Sequence, residues 1–485
     1  MHDWASIITE ELRNNVETMV ANTLGVEKLE KFNYEKPLHL HGDFKLPIEF
    51  LPEKELHPLD ETVQEDLELV ESKDGISMYE RLFNPTNILG QNLIQNWKKH
   101  FTSNKQYLTD CQRVILETDF QTKQVDFFET NYVKDDDLME IWNDLKINHD
   151  YFLEKYCYIE WEICESFNRS SGFLQILSLI NMTSPVISLL LPFLFLIFPF
   201  IILKLRKIPI TLNMYVSVLK DIAKSHFIGR SLNNLSSFSP EKIIYFFMGI
   251  CMFFYQIYQN IIACKRFYAN IDKISRHLKV LKQYLGHSIQ SMEMFLETHE
   301  DKLSFIPFCE ETQKHVMVLR DAYSRILNHE NTRFTLFDIG NIGYLLKNYY
   351  ELHSNMKYER SIRYAFGFDG FLNNIRGVQD HIHKQNISII QINQSKSCGF
   401  KNQYYPAHIE DKICIKNNCI LKKKNIITGP NASGKTTFLK TTTINIIFSQ
   451  QIGAGFYEKN STINPYTHIH SYLNIPDTSQ RDSLF

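Results

Sequence analysis

The sequence predicts a mainly α chain, with one or two membrane helices, that ends in a partial α/β domain built around a glycine-rich loop. Three observations predict it. The 34 residues Ser170–Leu203 contain no Asp, Glu, Lys or Arg. From Lys265 to about His299, Ile271, Ile274, Leu278, Leu281 and Leu285 recur three or four apart, the period of one buried helical face. Near the end, a short apolar pair, Ile426-Ile427, leads into a loop with Gly429 and Gly434, and the apolar run Phe438, Leu439, Ile444, Ile446, Ile447 and Phe448 follows.

The chain has 485 residues, with 44% hydrophobic and 22% charged residues, which excludes a wholly disordered or collagen-like polymer. The net charge of −3 hides a split. Residues 1–150 carry 30 Asp/Glu against 15 Lys/Arg, and the remainder carries 25 against 37. The sum therefore argues neither for nor against a polyanionic partner. The nine cysteines show neither C-x-x-C spacing nor zinc-ligand spacing, so they read as reduced structural thiols. The N-terminus, Met1-His2-Asp3-Trp4, opens a mixed polar pattern with no apolar run, so no secretory signal peptide is expected.

Four segments follow from these patterns. Residues 1–169 form an acidic, mostly helical region of unknown function, interrupted early by Pro37, Pro47, Pro52 and Pro58. Its charge reads as a solvated face. Residues 170–264 form a hydrophobic membrane region with two candidate helices, about 182–203 and 243–264. Val186 to Leu203 is nearly all Leu, Ile, Phe and Val, and Lys204, Arg206 and Lys207 follow it as a headgroup anchor. The second run is less apolar and contains Gln256, Gln259 and Asn260. If both cross, the connecting loop is basic and its charge favours the cytoplasm, which is also where an ATP-using C-terminal part must lie. A shallow hairpin, an overridden charge rule or a single inserted run would each resolve the conflict. Residues 265–400 form a helical, lever-like region, with further helices near Cys309–Asn328 and Gly340–Ser354. Residues 401–485 form the partial α/β domain.

Gly429-Pro430-Asn431-Ala432-Ser433-Gly434-Lys435-Thr436 fits G-x-x-x-x-G-K-[ST], the Walker A phosphate loop (P-loop). The spacing has a geometric reason. A strand ends, turns tightly and opens a helix whose N-terminal N–H groups point at phosphate. Gly429 and Gly434 allow close approach and unusual backbone angles. Lys435 brings positive charge to the β- and γ-phosphates, and the Thr436 hydroxyl is placed for Mg²⁺. Pro430, Asn431, Ala432, Ser433 and Thr437 complete the ATP-binding set.

Thr428-Gly429-Pro430-Asn431-x-x-Gly434-Lys435-Thr436-Thr437 resembles the phosphate loop of the MutS family, the mismatch-recognition ATPases, which commonly reads T-G-P-N-M-G-G-K-S. Gln451-Ile452-Gly453 resembles the segment after that family's P-loop helix, and Tyr405-Pro406 and Ile415-Lys416-Asn417 resemble its lead-in strands. Asp477–Phe485 resembles its signature loop, whose serine, matched by Ser483, reaches the partner subunit's ATP site. The resemblance covers roughly residues 400–485. It implies an ATPase core acting as a homodimer or heterodimer, with ATP, Mg²⁺ and DNA as partners. The chain also departs from the family. Ala432-Ser433 replaces Met-Gly, and Cys414 falls where an adenine-stacking aromatic stands. Gly42-Asp43-Phe44-Lys45-Leu46 resembles G-D-F-Y-E without its Glu. The mismatch-reading F-x-E is matched five times, at Phe127, Phe152, Phe295, Phe308 and Phe456, so the pattern selects none of them.

A hydrolysing P-loop enzyme also needs a Walker B strand ending in Asp-Glu. No such run precedes Phe485, and Asp60-Glu61 reads as unattached to a strand. The sequence therefore suggests a truncated product in which Ile426-Ile427 is left at an exposed edge. Two functions are expected from these residues. The first is a membrane-associated MutS-like ATP-binding protein, its ATPase part facing the cytoplasm, with ATP-dependent binding of mismatched DNA implied through basic helices of residues 265–440. The alternative is a membrane-bound interaction protein with a non-hydrolysing P-loop remnant.

Overall fold

The computed structural model describes residues 40–72, 75–118, 135–205, 213–217, 240–326, 340–393, 398–409, 414–422 and 424–473. Short elements come first: strand β1 (Leu56–Pro58), helices α1 (Glu61–Asp66), α2 (Met78–Phe83) and α3 (Ile88–Trp97), strand β2 (His100–Thr102) and helix α4 (Lys105–Glu117). Helices α5 (Asp135–Leu145) and α6 (His149–Tyr156), then a 3-10 segment (Glu162–Arg169), lead into α7 (Ser171–Leu205). Four helices follow: α8 (Pro240–His299), α9 (Ile306–Ile326), α10 (Ile342–Ser354) and α11 (Met356–His383). The last part holds strands β3 (Ser388–Ile389), β4 (Gln391–Ile392), β5 (Cys398–Gln403) and β6 (Asn417–Leu421), helix α12 (Lys435–Ile452), and strands β7 (Ala454–Gly455) and β8 (Thr462–Ile463).

The chain is mainly helical, as expected. The segments read separately as 243–264 and 265–299 form one helix, because no Pro or Gly interrupts residues 251–285. Asp60-Glu61 does follow a strand, the three-residue β1, which pairs antiparallel with β2 alone. The described residues fall into two compact units that do not follow the four linear segments. One draws on Asn143–Lys279 and His329–Ser354, and the other on Glu35–Trp142, Val280–Asn328 and Asn355–Phe485.

In the first unit, α7 and α8 form an antiparallel hairpin. The Cys264 thiol donates to the Met182 carbonyl at 3.4 Å, and the Asn260 amide donates to the Ser188 hydroxyl six residues further along. On α8 the covered residues Gly249, Phe253, Ile257, Asn260, Cys264 and Phe267 recur three or four apart, forming one seam. Up to Ala263 most of the other described residues are exposed and apolar, including Phe247, Met252, Phe254 and Tyr258, with Gln256 and Gln259 as polar exceptions, before the exposed Lys265 and Arg266. Beyond Ser178 no described residue of α7 is buried. Two helices, α7 and α8, are thus long and apolar enough to cross a membrane. The first turns of α7 are instead covered by α10. At Gly343 a Cβ would lie 2.1 Å from the Ser171 carbonyl oxygen, so only glycine permits this approach.

A polar core lies under that junction. Asp144 receives Lys155, Lys273 (3.1 Å) and the Tyr156 hydroxyl. Buried Lys146 donates to the carbonyls of Leu352 (2.9 Å) and His353 (2.8 Å), placing a cation at the C-terminus of α10. His353 Nδ1 lies 2.6 Å from the Leu145 carbonyl, which can only accept. The proton is therefore on Nδ1, and Nε2 accepts from His149 Nδ1 at 3.0 Å. His149 Nε2 meets Glu165 at 3.0 Å, and the Tyr350 hydroxyl donates to the same carboxylate at 2.5 Å.

In the second unit, α11 is the central helix. It packs on α3, α2 and α9, and its aromatic residues Phe366, Phe368 and Phe371 are buried. Phe44, the aromatic of the Gly-Asp-Phe sequence, inserts here 5.0 Å from Tyr364 and 6.1 Å from Phe308, so it serves the core. The four-stranded sheet runs β4-β8-β5-β6, with β4 and β8 parallel and the remaining pairs antiparallel. Ile390, Cys398, Phe400, Cys419, Ile446, Tyr457 and Ile463 form the core between this sheet and α12. All nine cysteines are free thiols, as expected.

The first unit is built to lose stability in acid. Burial pushes His353 down to about 3, against the opposing pull of its bond to Leu145. Burial works to raise Asp144, but hydrogen bonds from Lys155, Tyr156 and Lys273 outweigh it and hold the carboxyl below its ordinary value. In both cases the unfolded chain binds the proton more readily, so stability is full above the unfolded pKa and falls as pH drops. For His353 the window runs from its ordinary value of 6.5 down to about 3. Amide hydrogen exchange across Ile342–Ser354, corrected for intrinsic rates, should accelerate as pH falls from ~7 to ~5 through His353, with a limiting slope of ~1.4 kcal/mol per pH unit, while Asp144 adds its share only below its ordinary value of 3.8. Unchanged protection over that range would contradict this account.

Candidate phosphate-binding site

Helix α12 begins after Gly434, whose φ of +85° favours glycine. Its first intrahelical bond runs from Phe438 N–H to the Gly434 carbonyl at 2.9 Å. The N–H groups of Lys435, Thr436 and Thr437 therefore have no acceptor within the helix. Ahead of them the loop curls on itself. Ser433 N–H donates to the Pro430 carbonyl at 3.3 Å, and Ala432 adopts a left-handed φ of +59°. The Lys435 ammonium lies across the loop and donates to the carbonyls of Gly429 and Pro430, both at 2.6 Å. A Cβ on Gly429 would meet the Ser433 hydroxyl at 2.8 Å.

Gly429, Pro430, Asn431, Ala432, Ser433, Gly434, Lys435, Thr436 and Thr437 thus share one surface turn. Lys435 is half-buried and the others are exposed. Ser483 and the whole Asp477–Phe485 stretch lie outside the described residues. Such a turn presents backbone donors, a helix N-terminus and one ammonium to solvent, which together suit an anion. Among the described residues no group of three or more His, Cys, Asp or Glu could hold a metal ion, so the Mg²⁺ expectation rests on the Thr436 hydroxyl.

The strand expected directly before the loop does not form. Residues 424–430 have no regular structure, and Ile426 is 89% exposed. Two apolar residues make a strand only beside a partner, and the sheet ends at β6, one element earlier. Ile415, Ile420 on β6 and Leu439 on α12 are exposed as well.

The far end of α12 is the part that sequence reasoning missed. Residues 444–452 are buried on every face, and the polar ones are fully bonded. Gln451 Nε2 donates to the carbonyls of Trp97 (2.7 Å) and His100 (2.8 Å), while its Oε1 accepts from the Tyr79 hydroxyl at 3.1 Å. Gln450 Nε2 donates to the carbonyls of Thr102 (2.9 Å) and Tyr466 (2.8 Å), and its Oε1 accepts from Tyr466 N–H at 2.9 Å. Asn445 accepts from Phe456 N–H at 2.8 Å, and Gln403 donates to the Thr442 hydroxyl at 2.7 Å. Lys440, nearer the loop, pairs with Glu68 at 3.2 Å. Residues of the acidic N-terminal region thus fix the helix that carries the loop.

Other sites expected from the sequence fare differently. Cys414 is half-buried and carries no ring. Of the five F-x-E phenylalanines, Phe152, Phe295, Phe308 and Phe456 are buried in cores, and Phe127 lies outside the described residues. None of the four is offered to a base stack. On α8, Lys273 is engaged with Asp144 and Arg276 with Asp272 (3.3 Å), while Lys265, Arg266 and Lys279 are exposed. Neither the family models nor the curated proteins compared with the chain match it.

Gln451→Ala would take a donor from the carbonyls of Trp97 and His100 and an acceptor from the Tyr79 hydroxyl, leaving Tyr79 and Trp97 only their mutual bond at 3.2 Å. It should cost roughly 2–4 kcal/mol in denaturant unfolding followed by tryptophan emission, because each lost partner leaves a group desolvated. Lys459→Ala, at an exposed position, should stay within about 0.5 kcal/mol. Equal effects of the two would show that the amide grip does not hold the helix.

Proposed function

We propose that this chain is a MutS-like ATP-binding protein held in a membrane by the α7–α8 hairpin. One observation carries the nucleotide part: α12 is rooted by its buried C-terminal turns and offers its N-terminus, with Lys435, to solvent. The residues present suit a polyphosphate. The N–H groups at the start of α12 would receive its oxygens, and Lys435 would exchange its two carbonyl acceptors for phosphate. A Mg²⁺ arriving with the nucleotide would meet the Thr436 hydroxyl and neutralise phosphate charge. Gly429 and Gly434 keep side chains out of the turn. ATP-dependent binding of mismatched DNA, and assembly into a dimer with Ser483 acting across it, are supported by the resemblance of the loop.

A second reading has its own observation. The exposed, unpaired Ile426-Ile427 segment favours a loop that binds nucleotide without hydrolysing it, in a membrane-bound protein whose work is interaction. Both readings require binding. The full chain in lipid nanodiscs should bind a fluorescent ATP analogue with Mg²⁺, and Lys435→Ala should weaken it at least ~10-fold, since a charge-assisted hydrogen bond contributes about 1.5–3 kcal/mol. Equal affinities for the two proteins would overturn the nucleotide site. Release of inorganic phosphate by the wild type would separate the first reading from the second.

The membrane part rests on length. From Met182, level with Cys264, to Lys204 the helix extends about 33 Å at ~1.5 Å per residue, enough to cross a ~30 Å hydrocarbon core. Both helices then cross, and the basic connection lies opposite the ATP-binding part. With that part in the cytoplasm, translation into microsomes should glycosylate the sequon Asn234-Leu235-Ser236 and spare Asn431-Ala432-Ser433 and Asn460-Ser461-Thr462. Glycans on the latter two alone would reverse the orientation, and glycans on both Asn234 and the latter two would reject the crossing hairpin.

A further inference from the structure

The α7–α8 hairpin satisfies most of its short polar side chains internally. On α7 the hydroxyls of Thr183, Ser184 and Ser188 donate to carbonyls of their own helix at 2.6, 3.0 and 2.8 Å. On α8 Asn260 donates to Ser188, and Cys264 to the Met182 carbonyl. Gln256 and Gln259 differ. Both amides are exposed, and neither has a hydrogen-bond partner among the described residues. Beyond Ser188 α7 has no polar side chain to offer, since Leu189–Leu203 contains only Leu, Ile, Phe and Pro.

In a crossing hairpin these amides lie deep. At ~1.5 Å per residue Gln259 is about 8 Å and Gln256 about 12 Å inside the level of Cys264, too far for a glutamine to reach the headgroups. An amide without a partner in hydrocarbon is costly, and glutamines on membrane helices are satisfied across helices. The surrounding pattern identifies the partner. Met252, Gln256, Gln259 and Ala263 are all exposed and stand four, three and four apart, the repeat that keeps one stripe turned to a second helix. Every copy of the chain inserts in the same orientation. A two-fold axis along the membrane normal therefore sets two α8 helices parallel, with equal positions at equal depth. Each glutamine then meets the same residue of the second copy. An amide holds two donors and an acceptor, so two identical ones satisfy each other. Ala263 is small and lets the helices approach. Arg266, the next position of the repeat, lies beyond the apolar stretch, where its charge reaches water.

We propose that Met252, Gln256, Gln259 and Ala263 form a membrane-embedded stripe through which α8 pairs with α8 of a second copy, held by reciprocal glutamine hydrogen bonds. The proposal rests on the membrane reading of the hairpin and needs no nucleotide. Its test uses the full chain in phosphatidylcholine vesicles at high lipid excess, without ATP. A benzophenone-bearing amino acid replaces Met252 or, as the control about half a turn away, the exposed Phe254. Irradiation should give a covalent dimer from the Met252 position and little from the Phe254 position. The double variant Gln256→Leu/Gln259→Leu only makes the helix more apolar, so insertion is kept. It should lower the dimer yield at least ~10-fold, because both amide pairs are lost. An unchanged yield in the double variant, equal yields from the two positions, or crosslinks to lipid alone would overturn the stripe. Alkylation of Cys251, which is exposed on the apolar part of α8, by a water-soluble maleimide in the same vesicles is the separate check. A protected Cys251 with any of those results rejects the stripe and leaves the hairpin standing. A reactive Cys251 rejects the hairpin, and the stripe with it.

Discussion

Two consecutive glutamine side chains, Gln450 and Gln451, hold the C-terminal end of α12 inside the second unit, and the candidate site depends on that grip. A buried primary amide without partners is expensive, and one with every partner made is both stable and highly specific in register. Here the partners are backbone carbonyls at 97, 100, 102 and 466 and the Tyr79 hydroxyl. A helix slipped by one residue would lose all of them. The consequence appears about four turns away: the first turn of α12 and the loop before it keep a fixed, open orientation, with donors outward.

The charges of the N-terminal region have a related role. The sequence reads them as a solvated face, yet several of its carboxylates are buried joints. Asp66 accepts from the Ser471 hydroxyl (2.6 Å) and Leu473 N–H (2.9 Å), and Asp110 accepts from the Ser304 hydroxyl (2.7 Å) and N–H (3.2 Å). Asp144 does the same work in the first unit with Lys155 and Lys273. Composition counts these residues as surface charge because it cannot see a partner hundreds of positions away.

Helix periods and the loop were legible in the sequence; the compact units and the grip were not. The spacing of Ile271, Ile274, Leu278, Leu281 and Leu285 marks a helical face that is indeed buried, and the segments near 309–328 and 340–354 are helices at α9 and α10. Local signals of this kind survive because each turn reports its own environment. Ile426-Ile427 misled because a strand is a property of two segments, and its neighbour is not among those described. The burial of Gln450-Gln451 was not legible, although Gln451-Ile452-Gly453 stood out by resemblance: a helix buried on every face has no polar side, so its amides look like surface.

The hairpin and the loop make one demand in common, a helix fixed at one end and free at the other. In α12 the fixed end is polar and buried, and the free end is what a phosphate would meet. The most direct test is amide hydrogen exchange of the full chain with and without ATP and Mg²⁺. Binding at the loop predicts slowed exchange at residues 431–438, with residues 444–452 already protected and unchanged. No change at 431–438 under saturating nucleotide, or protection confined to another part of the chain, would contradict the account.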